Sequence, residues 1–240
     1  MKHAVYCGTR NIYDDMETAA KSLIANSDVD TVHFLIEDSE FPHELPGIIK
    51  VKNVSKQKHF RSNGANMQSK YTYMAMMRAA LCKVFPKVDK ILSLDADTIC
   101  YDDVSGIWDI PLNDCYFAAA YEPERSEHEQ LFYTNAGVTL FNLRKLRDGK
   151  ATEIIKALNN MQYHFVEQDA LNFLCQGSIA ELDGDYNACD FTVHTDNPKI
   201  IHYAGLGDWR GKLPVCQYRH MTWDEVLTKH DAHINSRADV

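Results

Sequence analysis

Short apolar runs alternate with helix-period segments through the first hundred residues, and no other feature constrains the fold as much. Residues 4–7 read as a strand broken by Gly8. Met16, Ala19, Ala20, Leu23 and Ile24 recur at helical spacing, which predicts an amphipathic helix over 15–26. Residues 31–36 and 48–54 read as strands, separated by a loop at 41–47 that contains Pro and Gly. The polar stretch 55–66 reads as loop. Met74, Met77, Leu81 and Val84 share one helical face and predict a helix over 69–85, stopped near Pro86. The strand Ile91-Leu92-Ser93-Leu94 closes the series. Such alternation implies parallel strands joined by right-handed crossovers, an α/β fold of the nucleotide-binding type.

The second half is less regular. Residues 116–121, 138–142, 179–182 and 200–203 read as strands, and 151–161 and 168–175 as helices. Thr222-Trp223-Asp224-Glu225 has the capping-box pattern and opens a last helix, with a polar, frayed tail after His230. No repeat, low-complexity stretch or linker divides the chain, and its 240 residues can bury a sizeable core. A net charge of −9 argues against broad binding to nucleic acid or an anionic membrane surface. Seven scattered cysteines without a CxxC fit reduced thiols in a cytoplasmic protein better than a disulfide framework or a zinc site. The start is too short and polar for a signal peptide, and no run approaches a membrane span, so a soluble protein is expected.

Asp95-Ala96-Asp97 ends the 91–94 strand. In an open α/β sheet ligands bind beyond the carboxyl ends of the strands. Two acids there offer oxygen ligands to a hard divalent cation, which can grip a diphosphate and take up charge on a departing phosphate. Alternate side chains of an extended strand point to opposite faces, so the chain must turn at Ala96 for both acids to meet one cation. His202 ends a second short apolar strand, followed by Gly205 and Gly207. A neutral imidazole completes an Asp/Asp site that prefers Mn²⁺ or a similar ion, and the glycines let a loop close over phosphates. Taken singly, each feature has a plainer reading. The acids can be a solvated pair at a strand–loop junction, His202 a core histidine, and Arg78 a surface charge. The stretch Thr134-Asn135-Ala136-Gly137-Val138 can be an ordinary turn before a strand, and Glu167 and Asp169 can simply favour a helix dipole. Asn135, and the Glu167-Gln168-Asp169 turn, could equally hydrogen-bond sugar hydroxyls. There is no GxGxxG or Walker A sequence.

Taken in order, these segments resemble the family 8 glycosyltransferases, retaining enzymes of the GT-A fold that include bacterial galactosyltransferases and glycogenin. Arg78, the Phe85-Pro86 helix end and Lys90-Ile91-Leu92-Ser93-Leu94-Asp95-Ala96-Asp97-Thr98 are similar to that family's central block. Tyr133-Thr134-Asn135-Ala136-Gly137-Val138, followed by Phe141-Asn142-Leu143, resembles its "FNAGV…N(L)" segment. Glu167-Gln168-Asp169-Ala170-Leu171-Asn172 resembles "DQDxLN", and Ile201-His202-Tyr203-Ala204-Gly205 resembles "IHYxG". The likeness runs roughly from residue 4 to 213.

The resemblance implies a single GT-A domain over 1–240, with a Rossmann-like, mainly parallel sheet flanked by helices. Residues 1–105 would form the nucleotide-sugar half, 106–220 the acceptor and catalytic half, and 221–240 a C-terminal helix and tail. It implies transfer of a hexose from a nucleotide diphosphate sugar, UDP-glucose or UDP-galactose, to a saccharide, glycolipid, protein or nucleic acid. Asp95, Asp97 and His202 would ligate Mn²⁺ (or Mg²⁺). Cys7, Thr9, Asn11, Arg78, Ala96 and Gly205 would join the two aspartates around the donor. Gln168 would lie near the anomeric carbon, with Asn135, Glu167 and Asp169 in the same sugar pocket.

Two positions depart from the family pattern. Thr9 stands where an acid usually reads uracil. Asp208 stands where a lysine usually touches the diphosphate, so Arg210 or Lys212 is expected to supply that charge. Asp208 also motivates an alternative, a non-catalytic sugar-nucleotide binder. A second alternative is a phosphohydrolase, since Asp95-Ala96-Asp97-Thr98-Ile99 fits a relaxed DxDx[TV] pattern.

Overall fold

The first strand, β1 (His3–Cys7), buries Ala4 and Tyr6 on one face and Val5 on the other, as a parallel strand covered on both sides requires. In the computed structural model, which describes residues 1–69 and 71–238, a 3-10 turn at Arg10–Ile12 leads into α1 (Tyr13–Ala25). The helix buries Met16, Ala19, Ala20, Leu23 and Ile24, the stripe expected from their spacing. A Cβ at Gly8 would lie 2.4 Å from Met16 Sδ and 2.8 Å from Ile12 Cδ1, so a side chain there would have to displace both as α1 packs on the end of β1.

β2 (Thr31–Ile36) and β3 (Ile49–Asn53) follow as expected. The continuous helix predicted over 69–85 is a correction. The segment forms α2 (Tyr73–Met76), a 3-10 stretch Met77–Ala80 and α3 (Leu81–Val84). Residues 76–82 are buried on every side, so packing rather than a 3.6-residue period sets the local winding. Lys70, inside that predicted helix, lies outside the described residues, as do Asp239 and Val240 of the predicted tail.

β4 (Lys90–Leu94) is followed by the short β5 (Thr98–Cys100), then β6 (Phe117–Tyr121), α4 (Pro123–Glu129) and β7 (Thr134–Asn142). The stretch 134–138 is thus strand, not a turn before one, and the β6–β7 register shifts between Ala119 and Ala120. α5 (Leu143–Leu146), α6 (Lys150–Asn160), α7 (Glu167–Leu174), β8 (Ile179–Leu182), β9 (Ile200–His202), α8 (Leu213–His220) and α9 (Trp223–Ala238) complete the order.

The main sheet runs β3-β2-β1-β4-β7-β6-β8. β1, β2, β3 and β4 pair in parallel, as do β6 and β8, while β7 is antiparallel to both neighbours. The sheet is therefore mainly parallel with one reversed strand. One apolar cluster joins α1, α8 and α9 to one face, and a second joins α2, α3 and α5–α7 to the other. β5 and β9 form a separate antiparallel pair in which Thr98 faces His202. Among the described residues no helix is long and apolar enough to cross a membrane.

The tail expected to fray after His230 instead continues α9. His230 is buried, with Nδ1 3.0 Å from the Ile24 carbonyl and 2.8 Å from that of Ser27. Arg237 reaches Asp103 at 3.0 Å. Long-range contacts absent from local sequence thus hold these turns. The capping box forms as read: Glu225 N donates to Thr222 Oγ1 at 3.3 Å, and Thr222 N donates to Glu225 Oε2 at 2.7 Å. Thr222→Ala is expected to destabilise the protein by about 1 kcal/mol in urea unfolding, the usual cost of a lost N-cap.

Candidate functional site

Asp95 and Asp97 lie just beyond the carboxyl end of β4. Asp95 N donates to the Gly137 carbonyl at 2.8 Å, and Thr98 Oγ1 and N return to the Asp95 carbonyl at 2.7 and 3.3 Å. This is the turn at Ala96 that the sequence required. The chain then enters β5, whose pairing with β9 brings His202 alongside, and Tyr203 N donates to the Asp97 carbonyl at 3.0 Å. His202 Nε2 stands 3.7 Å from Asp95 Oδ2 and 3.4 Å from Asp97 Oδ1. One ligand atom from each residue lies within 4.8 Å of the others, and among the described residues no other trio of His, Cys, Asp or Glu does this. The aspartate side chains keep 30% and 27% exposure, so the cluster opens to solvent, whereas the imidazole is buried. Two carboxylates and one imidazole suit a divalent cation of borderline hardness. A Cβ at Gly137 would sit 2.1 Å from His202 Cε1, so the ring occupies space that only glycine leaves.

Without a cation the cluster is bound by a proton. Burial, the largest influence, depresses an imidazolium. Hydrogen bonds to Asp97 and Cys189 and the charges of Asp97 and Asp95 outweigh it and push His202 up to about 10. The two acids move apart. Burial raises Asp95, and the Asp97 charge adds to this against Arg78 and His202. Asp97 goes down despite burial, because His202 donates to it.

Arg78 is not a surface charge. It is 7% exposed, donates from Nη1 to the Ala136 carbonyl at 2.6 Å, and ion-pairs with Asp95 and, at 3.6 Å, with Glu167. A buried guanidinium requires such partners. Burial pulls it down, but Asp95 and Glu167 raise it further, so it stays charged. Burial raises Glu167 in turn, with Arg78 opposing.

Glu167, Gln168 and Asp169 occupy the first turn of α7. Gln168 Oε1 accepts the Ala136 N–H at 2.9 Å, and its Nε2 lies 3.2 Å from Tyr133 Oη. Asp169 is buried and occupied: it accepts Tyr133 Oη at 2.5 Å and Phe165 N at 2.8 Å. Asn135 is hydrogen-bonded at both ends of its amide. Its Nδ2 donates to Glu122 Oε1 at 2.6 Å, and its Oδ1 accepts Gly137 N and Asn187 Nδ2, both at 2.9 Å.

Glu122 and Asn187 are polar members of this site that the sequence reading missed. Glu122 follows β6 directly, and the rule that ligands gather beyond carboxyl ends of strands could have flagged it. Asn187 lies in an irregular stretch and carries no such signal.

At the end of β1, the Cys7 thiol is pushed up to about 12 by burial, with Arg78 opposing and the charges of Asp95 and Glu167 adding, and stays neutral. Thr9 Oγ1 meets Asn11 Oδ1 at 2.5 Å. Thr9 also lines a groove of about 290 Å³ with Glu37, Tyr71 and Tyr73. After His202, Gly205 takes a left-handed φ of +80°. Arg210 is held by Asp15 of α1, at 3.0 Å from Nε and 2.6 Å from Nη2, and Lys212 pairs with Asp208 at 3.8 Å.

The family model described as Glycosyl transferase family 8 matches residues 3–209. The chain is 27% identical to lipopolysaccharide 1,2-glucosyltransferase of Escherichia coli over 49% of this chain and 43% of that protein. It is 25% identical to glycosyltransferase GlyE of Streptococcus pneumoniae over 96% of this chain and 62% of that one. The chain thus spans less than two thirds of the length of these relatives. Galactosyltransferase LgtC, solved in complex with donor and acceptor sugar analogs, superposes with a TM-score of 0.68 at 22% identity, over 95% of this chain and 99% of that one. The fold is of the GT-A type.

Three outcomes follow from this geometry. Gly137→Ala must displace the His202 ring, and titration calorimetry is expected to show loss of divalent-cation binding. His202 sits above its ordinary 6.5 in the folded state, so the stability that its charge contributes is full below about 6.5 and lost as pH rises through about 10. The cation-free melting temperature of wild type is therefore expected to fall over that range more than that of His202→Gln. Cation binding at pH 8 is expected to release about one proton, read from calorimetry in buffers of different ionisation enthalpy.

Proposed function

We propose that this chain, which belongs to glycosyl transferase family 8, moves a hexose from a nucleotide diphosphate sugar to an acceptor hydroxyl with retention of anomeric configuration. The convergence of Asp95, Asp97 and His202 beyond the ends of β4 and β9 carries the proposal. These residues would hold Mn²⁺ (or Mg²⁺). The ion would bind the donor diphosphate and stabilise negative charge on the leaving group. UDP-glucose and UDP-galactose are the donors proposed, in keeping with the glucosyltransferase and galactosyltransferase names among the similar proteins.

The chain's own residues divide the remaining work. Cys7, Thr9 and Asn11 at the end of β1, with Ala96, would cradle the nucleoside. Arg78 fixes Asp95 from behind and holds Glu167 and the Ala136 carbonyl in register. Gln168 would face the anomeric carbon, with Glu167, Asn135 and Asp169 supporting the sugar pocket. Gly205 allows the following loop to fold over the diphosphate, and Arg210 and Lys212 are its cationic side chains. In the transfer, the bond from the anomeric carbon to the phosphate oxygen breaks. The acceptor oxygen bonds to the same face of that carbon, and its proton passes to the leaving diphosphate. All seven cysteines are unpaired, which supports a reducing, cytoplasmic setting.

One observation favours a second reading, a binder without turnover. Asp208 replaces the expected lysine, and Arg210 is already engaged by Asp15. Hydrolysis of UDP-glucose and UDP-galactose with Mn²⁺ tests both readings. Wild type is expected to release UDP, and Asp97→Ala to be slower on the order of 10²-fold or more, the scale lost with one group that stabilises developing charge. Donor binding without turnover would establish the binder. Phosphate released from a simple phosphomonoester would establish a phosphohydrolase instead.

A further inference from the structure

We infer that Asn187 is a positioning residue that turns His202 so that Nε2, and not Nδ1, faces Asp95 and Asp97. The inference rests on the reading of this cluster as a cation site. Asn187 is fully buried and lies behind Asn135 and His202. Its Oδ1 lies 3.0 Å from His202 Nδ1, and its Nδ2 donates to Asn135 Oδ1 at 2.9 Å.

The polarity of this pair is set from the far end of a chain of hydrogen bonds. The Glu122 carboxylate can only accept when ionised, so the Asn135 atom against it at 2.6 Å is the amide nitrogen. The backbone N–H of Gly137 can only donate, so the Asn135 atom against it at 2.9 Å is the oxygen. That oxygen also faces Asn187, which must therefore present its own Nδ2. The Asn187 oxygen is then turned to His202 and requires a proton on Nδ1. The one ring nitrogen left with a lone pair for a cation is Nε2, which stands 3.7 and 3.4 Å from the two carboxylates. A hydrogen bond from the second ring nitrogen fixes both orientation and basicity of a ligating histidine.

The backbone at this point is held independently of the Asn187 side chain. Ala188 N donates to the Ile200 carbonyl at 2.9 Å, His202 N donates to the Ala188 carbonyl at 2.9 Å, and Thr192 Oγ1 donates to the Asn187 carbonyl at 2.6 Å. A side-chain substitution leaves these bonds in place. It removes the acceptor that Asn187 offers to His202 Nδ1.

Mn²⁺ titration followed by electron paramagnetic resonance tests the inference on wild type, Asn187→Leu and Asn187→Asp. Asn187→Leu is expected to bind Mn²⁺ about 10–100-fold more weakly, the usual cost of losing a partner of a ligating histidine. Asn187→Asp keeps an acceptor for Nδ1–H and is expected to hold affinity near wild type, while its second oxygen opposes Asn135 Oδ1 and lowers the melting temperature. A merely structural role would lower melting temperature in both variants and leave the affinity of the folded protein unchanged. Long-range ¹H–¹⁵N spectra of Mg²⁺-loaded wild type provide a check that needs no variant, with the His202 proton expected on Nδ1. Equal Mn²⁺ affinity in wild type and Asn187→Leu, or a proton on Nε2 in the loaded protein, overturns the inference alone. Failure of wild type to bind any divalent ion overturns the cation site, and the inference with it.

Discussion

The antiparallel pairing of β5 with β9 is the contact on which the rest of the site depends. Each strand is three residues long and adds little stability alone. Yet this pairing places residue 202 opposite residue 98, and so fixes a histidine from late in the chain against two acids from its middle. The turn at 95–98 and the bare backbone of Gly137 complete the arrangement. The turn redirects the acids to one side of the strand end, and the glycine vacates the volume that the ring fills.

The site concentrates charge in a poorly solvated place, and the fold offsets this in two directions. On the inner side Arg78 lies between Asp95 and Glu167, so that no carboxylate there is left without a cation or hydrogen-bond donor. On the outer side the carboxylates remain open, and His202 holds its proton far above neutrality. The same economy governs Glu122, which burial raises and which is satisfied by the amides of Asn135 and Gln168.

The loop after His202 is more exposed than this centre. Gly205 adopts a left-handed conformation, and Asp208 and Lys212 pair on the surface, where an ion pair adds little. Arg210 is anchored by a carboxylate that is itself buried and also meets Arg219 at 3.2 Å. The loop is thus fastened to α1 through Arg210 and to the core through Trp209, which is buried and stacks on Tyr203.

The α/β class, the order of the main strands and the identity of the three candidate ligands were legible in the sequence. Each leaves a local mark: apolar runs of strand length, a helical stripe on α1, acids at a strand end, and a histidine between an apolar pair and a glycine. Local reading failed where distant residues decide the outcome. The 69–85 segment departs from one helix because residues 76–82 are enclosed on every side, and the last turns of α9 persist because His230 and Arg237 find partners from the first half of the chain. Arg78 looked like a surface charge because its two carboxylate partners come from elsewhere in the chain, 17 residues away for Asp95 and on α7 for Glu167. Glu122 and Asn187 carried no motif, since their roles exist only in a hydrogen-bond chain drawn from four separate segments. The sequence determined which side chains were available and which strands would carry them. Only the tertiary structure decided which way the His202 ring faces, because that depends on donors and acceptors that meet nowhere but in the folded core.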